Sequence, residues 1–246
     1  MARPSPVDAP VTIATMPPVY DSPMPLVVDL AVPLHLLVLI GGGEFSFGET
    51  REIDEFLVRN MPPDRETIAF LPTASGSAEY ATHLGKYFKT FDPAIETINV
   101  PVYRGRDVRR AKNLNQLKSA GMIYVGGGVT NALLTTMRDS PADAAMREAA
   151  GNGTLIAAIG AGAASFGIHA RDMQAIASAL PALGWLPQTV IETAFDPQND
   201  TMLRRLMSLP DVKLGIGIPP KTAIAVHSDG TTNILGSGNI AVFRKT

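Results

Sequence analysis

Cysteine is absent from all 246 residues, which excludes disulfides, thiolate metal sites and cysteine nucleophiles. The four histidines are scattered without ligand-like spacing, so neither a metal site nor a cofactor is expected. No run approaches the ~20 unbroken apolar residues that a membrane helix needs. Excess charge is also lacking. A formal net charge of −2 draws the chain neither to nucleic acid nor to an anionic membrane. The start does not read as a signal peptide: eight prolines fall in the first 33 residues, and Asp29 and Pro33 interrupt the apolar run there. A cytoplasmic protein is the default expectation.

With 46% hydrophobic and 18% charged residues, the chain suits one sizeable α/β domain, placed at 34–246, behind a Pro-rich arm at 1–33. The arm's composition favours an extended, polyproline-like conformation. Its segment 24–32, MPLVVDLAV, is more apolar than a free tail requires, and so should dock on its own domain or on a neighbouring subunit. A homo-oligomer with arm contacts is expected on that ground.

Along the domain, short apolar runs at 36–40, 67–71, 95–100, 122–125 and 154–159 read as strands. Helical patterns lie between them, at 49–60, 78–91, 114–120, 131–137 and 142–150. This alternation predicts a mostly parallel sheet covered on both faces. In the last third, 189–193 reads as a strand and 201–209 as a helix. Runs at 213–218, 222–226, 233–235 and 240–243 then suggest an antiparallel meander. In parallel sheets ligands sit beyond the carboxyl ends of the strands. The glycine turns Gly41–Gly43, Gly126–Gly128 and Gly160–Gly162 all fall there.

The last of these turns organises the functional reading. TLIAAIGAGAASFG at 154–167 is a strand that turns sharply into a helix, the geometry that lifts a nucleophile above a sheet where a helix N-terminus can stabilise an oxyanion. Its apex, Gly160, has no side chain.

Four stretches in this order, IGGGE (40–44), YVGGGVTNALL (124–134), AIGAGA (158–163) and KLGIGIPPKTAIAV (213–226), resemble the dipeptidase E and cyanophycinase family of serine peptidases. The resemblance runs from about residue 34 to the C-terminus. It implies a three-layer α/β/α fold of the flavodoxin-like kind found in class I glutamine amidotransferases, with an antiparallel extension. It also implies where the chemistry should lie. Gly160 stands where family members carry the nucleophilic serine, Ala194 where they carry histidine, and Pro219-Pro220 where they carry an acidic pair. Asp172, before Met173, matches an aspartate of dipeptidase E. A degenerate, ligand-binding or assembly protein follows, with a small peptide-like or carboxylate ligand held near Gly42, Gly43, Gly127, Gly128 and Ala161. An engineered knockout would explain Gly160 and Ala194 but gives no purpose to Pro219-Pro220.

The competing class is an enzyme, through serine-independent chemistry or a relocated nucleophile. Ser165, His169 and Asp172 stand at i, i+4 and i+7, on one face of a helix if the helix continues. If Gly167 breaks it, the three separate. Glu44 is either a pocket acid or a cap, and Thr130 and Asn131 either touch a ligand or cap the helix they open. His83 shares a partly exposed helix face with Tyr80 and Tyr87. Arg104, Arg106, Arg109, Arg110 and Lys112, relieved only by Asp107, form a solvated loop, an anion site or a contact for an acidic partner. The lack of aromatics beyond Tyr103 speaks against single-stranded nucleic acid.

Overall fold

The computed structural model describes residues 19–20, 26–175 and 178–245. Of the extended arm expected at 1–33, residues 1–18 and 21–25 lie outside the described residues. The elements in order are β1 (Val19–Tyr20), β2 (Leu36–Ile40), α1 (Arg51–Arg59), β3 (Thr67–Leu71), α2 (Glu79–Phe88), β4 (Glu96–Asn99) and α3 (Ala111–Ser119). Then come β5 (Met122–Val125), α4 (Thr130–Met137), α5 (Pro141–Gly151), β6 (Leu155–Ile159), α6 (Ala161–Ala164), β7 (His169–Arg171) and β8 (Ala179–Pro181). β9 (Thr189–Thr193), α7 (Thr201–Met207), β10 (Leu214–Ile218), β11 (Thr222–His227), β12 (Thr232–Gly236) and β13 (Ala241–Arg244) complete the chain.

The central sheet has the order β12-β11-β2-β6-β5-β3-β4. Its pairs from β2 to β4 are parallel, and the β11–β12 hairpin closes one side antiparallel. β2 shows why the sequence reads as an unbroken apolar run. Leu36, Val38 and Ile40 pack with residues of α1 and α2, whereas Leu37 and Leu39 pack with residues of α3, α4 and α5. A strand buried on both faces has no polar side to alternate with, and the three layers follow.

The expected terminal meander is corrected. β10 leaves for a second sheet, β1-β13-β10-β9-β7-β8, where it runs parallel to β9 and antiparallel to β13. Non-local packing decides this. Gly215 and Gly217 leave room on one face of β10 for Met207 and Phe195: a Cβ would stand 2.7 Å from the Met207 sulfur and 2.6 Å from the Phe195 ring. β7 and β8, three residues each, carry too little pattern to be read from sequence.

Residues 26–33 lie against their own chain. Val28 and Val32 are buried in the cluster that holds Leu37, and Leu26 and Leu30 pack partly against it. The Val28 N–H donates to the Gly230 carbonyl at 2.9 Å, and the Thr232 hydroxyl donates to the Leu26 carbonyl at 2.6 Å. Among the described residues no helix is long and apolar enough to cross a membrane.

Candidate functional site

The turn after β2 gathers the site through its carbonyls. Ile40 O accepts from Gly160 N at 3.0 Å, Gly41 O from Ala194 N at 2.8 Å and Gly42 O from Lys221 N at 2.8 Å. Three successive peptide groups thereby tie the ends of β6 and β9 and the segment before β11 to one point. Gly41 permits this only because it has no Cβ, which would lie 2.1 Å from the Pro219 carbonyl oxygen. The positions matched to serine, histidine and the acidic pair therefore converge. They hold glycine, alanine and proline.

The elbow itself forms. Gly160 has φ 56° and ψ −122°, outside the regions open to L residues and available to glycine at little cost. A Cβ there would find only Gly127 Cα, at 3.9 Å. Beside it lies a cavity of about 260 Å³ lined by Gly42, Gly43, Gly127, Phe70, Tyr80 and Ser75, together with Ile159, the residue before the apex. Burial pushes the Tyr80 phenol up to about 12, with the Glu44 and Asp54 charges adding to it, so a neutral hydroxyl belongs to this wall at physiological pH. Gly127 and Ala161 carry N–H groups with no hydrogen-bond partner among the described residues. No charged side chain lines the cavity.

The helix after the elbow is shorter than expected. α6 is a single turn, too short to offer a full helix dipole to an oxyanion. It stops because the Ser165 hydroxyl bonds back to the Ala161 carbonyl at 2.7 Å and because Gly167 passes close to β9, where a Cβ would meet Thr189 O at 2.5 Å.

That early stop dismantles the Ser165, His169 and Asp172 set. Ser165 is fully buried; His169 lies in β7, with Nε2 2.9 Å from Asp211. Asp172 accepts from the Asn131 amide at 2.8 Å, from Gln174 and Ala175 N–H groups, and from the Ser178 hydroxyl. These bonds, the Asn131 amide foremost, hold its carboxyl down at about 2. All its partners belong to its own loop and to α4, and none is at Gly160 or Ala194.

The remaining candidates resolve individually. Glu44 caps the short 3-10 turn at Phe45–Phe47, accepting from Ser46 N at 3.1 Å. Neither Thr130 nor Asn131 caps α4; Val129 occupies that position without a side-chain bond, and Asn131 is committed to Asp172 and the Met173 N–H. Gly128, at φ 142°, sits against Ala74, where a Cβ would be 2.4 Å from the carbonyl oxygen. Phe70, Tyr80 and Ser75 were not anticipated, because the sequence places them on a strand, a helix and a loop with no common motif. His83 is exposed on α2 with Tyr80 and Tyr87 half-buried beside it, and the Tyr80 ring packs on Phe45 and Phe70. Glu49 was missed as well, although it joins the turn's two sides by binding Lys221 Nζ at 2.7 Å and the Glu44 N–H at 3.0 Å.

Comparison with known proteins agrees with this architecture. A peptidase from an acI-B1 actinobacterium superposes with a TM-score of 0.70 at 22% identity, covering 84% of this chain and 89% of its own. A Listeria monocytogenes EGD-e protein assigned as a peptidase E gives 0.52 at 16% identity, over 87% of this chain and all of its own. By sequence, the chain is 30% identical over 154 residues to an uncharacterized peptidase of Bacillus subtilis strain 168, YgaJ, an alignment covering 61% of this chain and 64% of that protein. The match to peptidase family S51 spans residues 37–234, from β2 through the three glycine turns to β12. The chain belongs to peptidase family S51.

Proposed function

We propose that this protein binds a small peptide-like ligand at the elbow cavity and does not perform serine peptidase chemistry there. The observation that carries the reading is the elbow apex, formed next to the cavity wall at Gly127 and Ile159 but occupied by Gly160. Acyl transfer requires a nucleophile and a base within hydrogen-bond reach, and Gly160 and Ala194 supply neither. What persists suits binding. Bare backbone at Gly42, Gly43 and Gly127 can meet amide groups, and Phe70 and Tyr80 can cover an apolar side chain. An uncharged amide fits this lining better than a carboxylate, which would find no cation. Arm-mediated assembly in the cytoplasm is the weaker half of the reading, because Val28 and Val32 are covered by their own chain.

Intact-mass analysis after treatment with a broad fluorophosphonate tests the proposal. The natural chain is expected to remain unlabelled, and the double variant Gly160→Ser/Ala194→His to take up label at residue 160. The new serine enters a strained backbone costing about 1–3 kcal/mol, so thermal unfolding should accompany the assay. Labelling of the natural chain at any residue lining the cavity would overturn the reading.

A further inference from the structure

The basic residues that follow β4 are exposed, and three of them gather around one opening. The opening is a second cavity of about 490 Å³, lined by Arg104, Arg106, Arg110, Asp107, Tyr103 and Gly76, with Pro101 at its edge. The buried Asp107 carboxylate organises it. Oδ2 accepts from the N–H groups of Tyr103 and Arg104 at 3.1 and 3.0 Å, while Oδ1 lies 3.2 Å from Arg110 Nη2 and 3.9 Å from Arg106 Nε. Asn113, 1% exposed, fixes both ends of the turn by donating to the carbonyls of Asp107 and Pro101. The backbone of the turn is thus braced at both ends, and the Asp107 carboxylate draws the exposed Arg106 and Arg110 side chains to one side.

Charge is unbalanced inside that frame. Three guanidinium groups line the cavity against one carboxylate, and Arg104 has no acidic partner among the described residues. Arg109 and Lys112 add positive charge outside it. α3 starts at the same place with Arg110 as its N-cap, making no side-chain capping bond, so its first N–H groups also favour negative charge. Guanidinium groups match phosphate and carboxylate oxygens through paired hydrogen bonds.

We propose that this cavity is a binding site for a small oxyanion carrying two or more negative charges, a phosphorylated or polycarboxylate compound. Its volume of about 490 Å³ is in the range of small-molecule sites. The site is separate from the elbow cavity and does not depend on its reading: the turn carrying Ser75 and Gly76 stands between them, with Ser75 on one wall and Gly76 on the other.

Isothermal titration of the full chain with pyrophosphate, with citrate and with orthophosphate tests this. Saturable one-to-one binding is expected, tighter for the two larger anions than for orthophosphate and weakened by added salt. Arg104→Ala/Arg106→Ala should weaken it at least about tenfold, because charge-assisted hydrogen bonds to the anion are lost. Arg104→Lys/Arg106→Lys should lose part of the affinity, and Arg59→Ala, at a remote exposed position, none. Whether pyrophosphate or citrate binds tighter assigns the phosphorylated or the carboxylate class. Absence of binding at about 10 mM of all three, or binding unmoved by the double alanine variant, would overturn the proposal. So would binding of poly-glutamate alone, which would mark a protein-facing surface instead.

Discussion

Gly162→Ala is expected to lower the unfolding free energy by about 3 kcal/mol, the upper part of the range for overpacking a tight contact. The substitution would ordinarily help a helix by about 1 kcal/mol. Here a Cβ would stand 2.6 Å from Val125 O and 3.0 Å from Gly126 O. Both are backbone atoms at the end of β5, where Gly126 N is bonded to Leu71 O, so no side chain can rotate to relieve the overlap. α6 must instead shift away from β5, carrying Gly160 and Ala161 away from Gly127 and widening the elbow cavity. For a chain of this size the loss corresponds to a fall in Tm of about 10 °C. Gly105→Ala is the control: a Cβ there meets nothing within 4 Å and its φ is ordinary, so stability should hold or rise slightly. Equal melting of the two variants would refute the steric account.

Asp54→Asn is expected to stabilise the protein at neutral pH. Asp54 is 1% exposed on α1, receives hydroxyl hydrogens from Thr50 at 2.7 Å and Tyr87 at 2.9 Å, and forms no ion pair among the described residues. Burial pushes its carboxyl up to about 6, the two hydroxyls only partly opposing. A carboxyl whose pKa is raised by folding favours the folded state while protonated. Its contribution is fully present below an unfolded value near 3.8 and is lost as pH climbs through about 6. At pH 7 the ionised group therefore opposes folding by up to about 3 kcal/mol. Asparagine keeps an acceptor for both hydroxyls without the charge. The wild-type-minus-variant difference in unfolding free energy, measured by urea denaturation from pH 4 to 8, should fall with increasing pH and flatten above pH 7. Taking the difference matters, because Asp172, held low mainly by the Asn131 amide, contributes with the opposite sign at lower pH. A flat difference would show that Asp54 ionises as freely in the fold as outside it.

The two predictions concern residues that differ in how visible they are in the sequence. Gly162 was marked in the sequence as part of AIGAGA. Asp54 was not: on an amphipathic helix it reads as one more surface acid, and only the approach of Tyr87 from α2 and Thr50 beneath the Gly43 turn makes it a buried one.

Local chemistry alone determined much of this protein. Apolar runs ended by glycine had to be buried strands turning at their carboxyl ends, and the order of those turns carries the resemblance to the family. The same resemblance points to Gly160 and Ala194 as the places to look for the family's serine and histidine. What depended on contacts distant in sequence was decided only by the tertiary structure. The i, i+4, i+7 spacing of Ser165, His169 and Asp172 holds meaning only while a helix continues, and close passage by Thr189 ended that helix after one turn. β10 reads as a meander strand until Met207 and Phe195 fill the space above its glycines. Phe70, Tyr80 and Ser75 share a wall because three elements meet there, and Asp107 gathers arginines because Asn113, on the next helix, holds its turn closed. Periodicity and turn chemistry are short-range and survive in the sequence; convergence of side chains is a property of packing, and exists only once the chain has folded.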